Sequence, residues 1–288
     1  MERFNKCERG SIIIIVALGM TFFIGMLGLV VDGGYLYLQR ALLSNATDAA
    51  ALAGVQDLPS SWQVAETRAY QYGVANKMET HELEVGFANN FHRIIVTAQR
   101  DVPLFFLQIL GFSDVTVQAQ AAAEVGQLSG YAGVAPFGIV WEDFSVNQTY
   151  YLKTDPHTGG SLQGNFGALA LGGRGANNYE NNIKHGYNGM LRVGDKVLTE
   201  TGNIAGPTKR GVEFRLNGSP RIVIPVIDSL DVTGRDYVTI LGFAVFDLED
   251  VETYGSDAAV IGKFVFDSVD GILGVAPDYG ATAYRLVH

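Results

Sequence analysis

Ile12 to Val31 reads IIIIVALGMTFFIGMLGLVV, twenty residues without a charged side chain. At 1.5 Å of rise per helical residue, such a run reaches about 30 Å, the thickness of a bilayer's hydrocarbon core. Core helices of soluble domains rarely go that far without a polar face. Residues 11–31 are therefore read as a transmembrane helix in contact with the lipid bilayer.

The flanks give the helix a direction. Arg3, Lys6 and Arg9 precede it, whereas the chain after it opens on Asp32 and has Arg40 as its first basic residue. Positive charge stays on the cytoplasmic side, so residues 1–10 are expected in the cytoplasm and residues 32–288 outside it, across the cytoplasmic (inner) membrane. A cleaved secretory signal would have an apolar region of about 7–15 residues ending in a small-x-small site. Here the run is longer and ends in Val30-Val31-Asp32, which favours an uncleaved, single-pass signal anchor.

Composition narrows the class further. Of 288 residues, 48% are hydrophobic and 17% charged, too apolar for a disordered chain. The net charge of -10 opposes partners bound through phosphate neutralisation, and no nucleic acid is expected. The single cysteine, Cys7, excludes an internal disulfide and any multi-cysteine metal centre. It precedes the apolar run, the wrong order for a lipid-modified cysteine, and is read as a reduced cytosolic thiol.

Past the membrane, residues 33–55 are rich in Leu and Ala and lack proline, so the helix is expected to continue outward. Leu38, Leu42, Asn45, Ala49 and Leu52 form its expected inner face, and Gly33-Gly34 a loosened junction. Ser60 or Ser61 is expected to cap a second helix to about Lys77, with Ala65, Ala69, Tyr72 and Val74 or Ala75 as its inner face. Strands are expected at 83–87, 93–102 and 115–125, with PLFFLQIL (103–110) as a short helix packed on the sheet.

Near Gly126 the composition shifts, and 18 glycines fall within residues 126–218. A boundary is placed at 126–134, followed by short β-like runs at 137–141, 149–153, 221–227, 237–246 and 260–267. Pro225 predicts an edge or bulged strand. The segment 206–217 alternates like a strand at Val212, Phe214 and Leu216, yet Pro207 suits a first helical turn, and helix is preferred. The fold class is α+β: an anchored helix-plus-sheet domain over 32–126, then a glycine-rich, mainly-β domain over 134–288.

The membrane exit as a whole, RGSIIIIVALGMTFFIGMLGLVVDGGYLYLQRALLSNATDAAALAG, resembles the N-terminal segment of the TadE/TadG-like family of Flp (tight adherence) pilus-assembly proteins. Arg9-Gly10 ahead of the helix, then Asp32, Gly34, Tyr37, Asn45, Asp48 and the alanines at 49–51 and 53 carry the likeness. It is firm over residues 9–56 and looser to 125. It implies a pilin-like first domain and a place in pilus assembly and cell adhesion. Pilin-like relatives are cut after a glycine and favour Glu at the fifth position of the mature chain. Were Gly10-Ser11 the processing site, that position would hold Ile15, so the uncut anchor is preferred to a minor pilin. The divalent-cation adhesion module of some longer relatives needs Asp-x-Ser-x-Ser. Asp228-Ser229-Leu230-Asp231 and Asp267-Ser268-Val269-Asp270 lack that spacing.

Candidate chemistries are few. Gly164, Gly167 and Gly172-Gly173-Arg174-Gly175 have neither the P-loop nor the GxGxxG spacing and read as turn glycines. His81, His92, His157, His185 and His288 occur singly, and Asp155 beside His157 reads as a solvated turn. There is no Gly-x-Ser-x-Gly elbow. No metal, cofactor or catalytic residue is expected. Asp32 is read as an interfacial anchor that sets the depth of the helix, with a contact to another envelope helix as the alternative. Thr47 or Asp48 is read as a cap or docking point, and the small residues 46, 49–51 and 53 as permitting close packing, chiefly within the chain's own domain.

The expectation is thus a non-catalytic, membrane-anchored component of Flp pilus assembly or its secretion apparatus, partnered by other pilus-assembly or envelope proteins and open to self-association. Two alternatives remain open. One is a tethered module binding cell-wall glycan through Trp141, Tyr150, Tyr151 and Tyr187 on one exposed face. The other is an anchored hydrolase with a cleft of titratable groups.

Overall fold

Helix-forming residues carry the backbone without a break from Arg9 to Val55. In the computed structural model, which describes residues 9–58, 60–142, 144–145, 148–152, 163–164, 166–200, 204–229, 236–254 and 257–287, helix α1 (Arg9–Leu27) passes through one π-helical turn, Gly28–Asp32, into α2 (Gly33–Val55). The expected loosening at Gly33-Gly34 is absent. Gly33 keeps helical angles (φ −62°, ψ −42°) and donates its N–H to Gly28 and Val30, because the Leu/Ala run beyond it propagates the helix. Among the described residues, one helix, Ile12–Val55, is long and apolar enough to cross a membrane. Ile12, Ile13, Leu18, Phe22, Leu29 and their apolar neighbours are exposed on it.

The chain divides into two compact units, one running to Glu124 together with the last residues from Leu286, the other Val125–Arg285. In the first unit, Ser61 caps α3 (Trp62–Ala75) by accepting the Val64 N–H at 3.4 Å. Strands β1 (Leu83–Ala88) and β2 (Arg93–Val102) form an antiparallel hairpin. The opening half of β3 (Val115–Val134) pairs with β2 from Arg93↔Glu124 to Val102↔Val115. Ile94, Val96, Ala98 and Val102 alternate onto the buried face of this sheet, where α2 packs on β2 and α3. The strand expected to end at Val125 runs on to Val134, through the segment where the composition shifts.

The buried side of α2 corrects the expected one. Leu43, Ala46, Ala50 and Ala53 are buried, whereas Leu38, Leu42 and Asn45 are exposed. Leucines occur on both sides of this helix, so periodicity alone does not orient it. Small side chains let it lie close to its neighbours: a methyl group on Gly54 would come 2.5 Å from Ile94 Cδ1 and 2.9 Å from the Ala65 carbonyl oxygen.

The second unit is mainly β. Its elements are the remainder of β3, then β4 (Phe137–Ile139), β5 (Thr149–Leu152), β6 (Gln163–Gly164), β7 (Phe166–Ala168), α4 (Ala176–His185), β8 (Tyr187–Arg192), β9 (Lys196–Leu198), α5 (Ala205–Leu216), β10 (Arg221–Ile227), β11 (Tyr237–Tyr254), β12 (Asp257–Val265), β13 (Asp267–Val269), β14 (Ile272–Gly274) and β15 (Ala281–Val287). One sheet has the order β6-β5-β12-β11-β10-β4-β7, with β9 on β11. Strands β8 and β14 pair with the later part of β3, and β13 pairs in parallel with β15. The segment 205–216 is helical, as preferred. Strand β10 is not at an edge: it lies between β11 and β4, and a bulge follows Pro225 at Val226/Ile227. The α+β class expected from the sequence is what the structure has.

Gly54→Ala should destabilise the first unit by about 1–3 kcal/mol through overpacking, without changing its helix content. Thermal unfolding in detergent micelles, followed by circular dichroism, checks both quantities.

Candidate functional site

The membrane exit is built around Asp32. One carboxylate oxygen, Oδ1, accepts the Phe105 N–H at 3.0 Å, and the other accepts those of Phe106 and Leu107 at 3.0 and 2.7 Å. The side chain is fully buried, and Tyr35 meets the Phe105 ring edge-on at 5.3 Å. One helical turn earlier Gly28 leaves room for Leu107, whose Cδ2 would lie 2.6 Å from a methyl group there. The residue read as an anchor without a partner is therefore clamped to its own chain, 73 to 75 residues further on.

The partner segment also departs from expectation. Only Leu107–Leu110 is helical, as a 3₁₀ turn, and it packs on the N-terminal helix rather than on the sheet. Asp32 takes up N–H groups that open this turn, which a helix's own first residues leave unbonded. The side chains of Leu107 and Leu110 reach Gly28 and Gly25 of the anchor.

The other family-motif positions face outward. Gly34, Tyr37 and Asn45 are exposed and Asp48 is half-buried. At 100° per residue, Gly34, Leu38, Ala41, Asn45 and Leu52 share one stripe of α2, flanked by Tyr37 and Asp48. No second helical segment begins at Thr47 or Asp48: the helix is continuous, and Thr47 Oγ1 donates to the Ser44 carbonyl at 2.9 Å. Ala46, Ala50, Ala51 and Ala53 are buried in the unit itself. Gly10 and Ser11 lie in the first turns of α1, and Cys7, Arg3 and Lys6 fall outside the described residues.

Arg100 braces the same unit. It donates Nε and Nη2 to the two oxygens of Glu82 (2.5 and 2.7 Å), Nη1 to Gln39 Oε1 (2.9 Å) and Nη2 to the Lys77 carbonyl (2.9 Å). This joins the helix leaving the membrane to strand β2. The Arg100 guanidinium holds the Glu82 carboxyl below the usual range.

Among the described residues of the second unit no comparable constellation forms. A depression of about 350 Å³ is lined by Leu171, Gly172, Tyr187, Asp195, Lys196 and Tyr237 among others, and Asp195 is committed to the Arg192 N–H at 2.8 Å. Gly172, Gly173 and Gly175 have φ of 70°, 136° and 110°, turn conformations leading into α4. The aromatic residues weighed for glycan stacking are not on one face: Tyr150 is buried, Tyr151 is exposed, and Trp141 packs on Phe264 at 5.7 Å. His81 is 3.3 Å from Glu79, His92 bonds its own turn, and His185 packs on Phe214. Asp155, His157, Asp231 and His288 lie outside the described residues. Asp267 is bound by Arg221 at 2.6 Å and Asp228 accepts the Thr239 N–H at 2.9 Å. Among the described residues, no group of three His, Cys, Asp or Glu is arranged to hold a metal ion.

The constellation is thus a clamp that holds the end of the apolar helix to the rest of the first unit. Residues 10–57 match the family model for TadE/G-like Flp pilus-assembly proteins, and residues 35–123 match that for Tad-like Flp pilus-assembly proteins. Together the two family models span residues 10–123. No curated protein and no solved structure matches it. The matched span holds Asp32, the loop it clamps and the outward stripe of α2.

Asp32→Ala leaves three amides without their acceptor. Hydrogen exchange at Phe105, Phe106 and Leu107 should accelerate roughly tenfold to a hundredfold, for a loss of about 1–3 kcal/mol, which mass spectrometry of the exchanged protein measures. The Glu82–Arg100 pair sets a pH dependence. Because the folded-state pKa of Glu82 is depressed, its contribution is present above the unfolded value, about 4.3, and is lost as pH falls below it. The difference in melting temperature between the native protein and Glu82→Gln should therefore be largest near neutral pH and shrink towards pH 3.

Proposed function

We propose that this pilus-assembly family member is a non-catalytic, single-pass anchored component of the Flp (tight-adherence) apparatus, with residues 1–10 in the cytoplasm and both units outside the cytoplasmic membrane. The clamp of Asp32 on residues 105–107 carries this reading. Together with the Arg100 bonds to Gln39 and Glu82, it makes the helix and the first unit move as one body, so force or position at the membrane is passed to the folded part. That suits a structural component better than an enzyme, whose convergent titratable groups are not seen among the described residues.

The outward stripe of α2 is the surface offered to other pilus-assembly or envelope proteins, or to a second copy. It presents Tyr37, Leu38 and Leu42 to the surroundings, with Gly34 permitting close approach of a second backbone. Asn45 supplies an amide for an interhelical hydrogen bond. Glycan binding finds less support, since Tyr150 is in the core.

Intact-mass and N-terminal analysis of the protein from native membranes and from sheared surface fibres tests the reading. A chain beginning at Met1 and confined to membranes is expected. A chain beginning at Ser11 and recovered in fibres would overturn it in favour of a minor pilin. Asn45→Arg, which changes the outward stripe, should abolish surface fibres while leaving the melting temperature of the protein unchanged.

A further inference from the structure

Residues 102–113, VPLFFLQILGFS, contain no charged side chain, and the first charges on either side are Asp101 and Asp114. Val102 and Leu104 at its start are buried, but most of the larger apolar side chains beyond them are not. Phe105, Ile109 and Phe112 are 54%, 67% and 59% exposed. Its inner side lies along the anchor, with Leu107 against Gly28 and Leu110 3.8 Å from a methyl group placed on Gly25.

Gly28 and Gly25 stand four and seven residues before Asp32, about 6 and 10 Å down the helix axis. Both lie within the twenty-residue span that fills the hydrocarbon core. A segment touching them is at the same depth.

Irregular backbone is tolerated in lipid only when its polar groups are satisfied within the protein. The loop meets that requirement for many of its N–H groups. Asp32 accepts the N–H groups of Phe105, Phe106 and Leu107. Those of Ile109, Gly111 and Phe112 donate to Phe106, Gln108 and Leu107. Six donors of the loop are thereby bonded inside the protein, and the carboxylate itself is stabilised by three charge-assisted hydrogen bonds.

We propose that the loop around Leu107–Leu110 is a second membrane element, seated in the outer leaflet of the bilayer beside the anchor, with Phe105, Ile109 and Phe112 in contact with acyl chains. The inference rests on the anchored reading above. Asp32 then serves less as a marker of the membrane surface than as the group that makes the loop's backbone compatible with lipid. Two elements at one bilayer face fix the tilt and rotation of the first unit, which a single helix does not.

Fluorescence quenching in vesicles tests this. In a Cys7→Ser background, the full chain carries one environment-sensitive fluorophore at Ile109→Cys, Phe112→Cys, Leu18→Cys on the anchor, or Lys209→Cys on the exposed surface of α5. Each variant is reconstituted in phosphatidylcholine/phosphatidylglycerol vesicles, with folding checked by circular dichroism. Labels at 109 and 112 should show blue-shifted emission, lose intensity to nitroxide-bearing lipids as the label at 18 does, and resist aqueous iodide, which quenches the label at 209. If the label at 18 is quenched by lipid while those at 109 and 112 are reached by iodide, the proposal is overturned and the anchor stands. Labels at 109 and 112 shielded from both quenchers would overturn it too, showing that protein covers the loop. A label at 18 open to iodide would remove the anchor itself and the proposal with it.

Discussion

A carboxylate at the end of an apolar helix has to find donors or face water, and much of the first unit is arranged around how Asp32 meets that need. Its two oxygens gather three consecutive backbone N–H groups from a segment more than seventy residues away in sequence. This one set of bonds closes the β2–β3 connection onto the anchor. It places Leu107 in the notch left by Gly28 and brings Phe105 to Tyr35. The π-helical turn lies at the same point, its five residues running from Gly28 to Asp32. Such turns inside α-helices recur at functional positions, and here the turn contains both the notch and the carboxylate.

Helix α2 serves two neighbours at once. Ala46, Ala50, Ala51 and Ala53, with Leu43 and Val55, are buried in the unit, where Gly54 meets α3 and β2 at close range, while Tyr37, Leu38 and Leu42 remain outside. The division follows side-chain volume more than hydrophobicity: the sheet side accepts small residues because the backbones run close, so larger apolar groups remain on the far side. A helix apolar on both sides, but close-packed on only one, has the form expected of a component that packs against its own domain and against something else.

The second unit is held by other means. Arg221 bridges β10, β11 and β13 by bidentate bonds to Asp247 at 2.7 Å and a contact to Asp267 at 2.6 Å. Glu180 pairs with Lys184 within α4 and joins that helix to α5 through Arg210. These charged groups neutralise one another in pairs, and the aromatic cluster of Trp141, Phe144, Tyr150 and Phe264 is packed ring against ring. Among the described residues, these side chains are used in building the unit.

The transmembrane run was legible because twenty apolar residues can be counted in one dimension. The α+β class was legible because helix and strand periods differ, and the family likeness because its motif is local, from Arg9 to Ala53. The preference for helix at 206–217 held against an alternating pattern, the helix running from Ala205 to Leu216. What could not be read depended on which distant segments meet. The inward side of α2 was misread, since leucine spacing cannot reveal that the buried side is made mostly of small side chains. The short helix expected at 103–110 was assigned to the sheet because nothing local indicates that Asp32 would take its amides. Local chemistry determined which segment is long and apolar enough to cross a membrane and which segments form helices and strands. Tertiary structure decided the partner of Asp32 and the free side of α2, because a hydrogen bond between residues 32 and 107 exists only once the chain has closed.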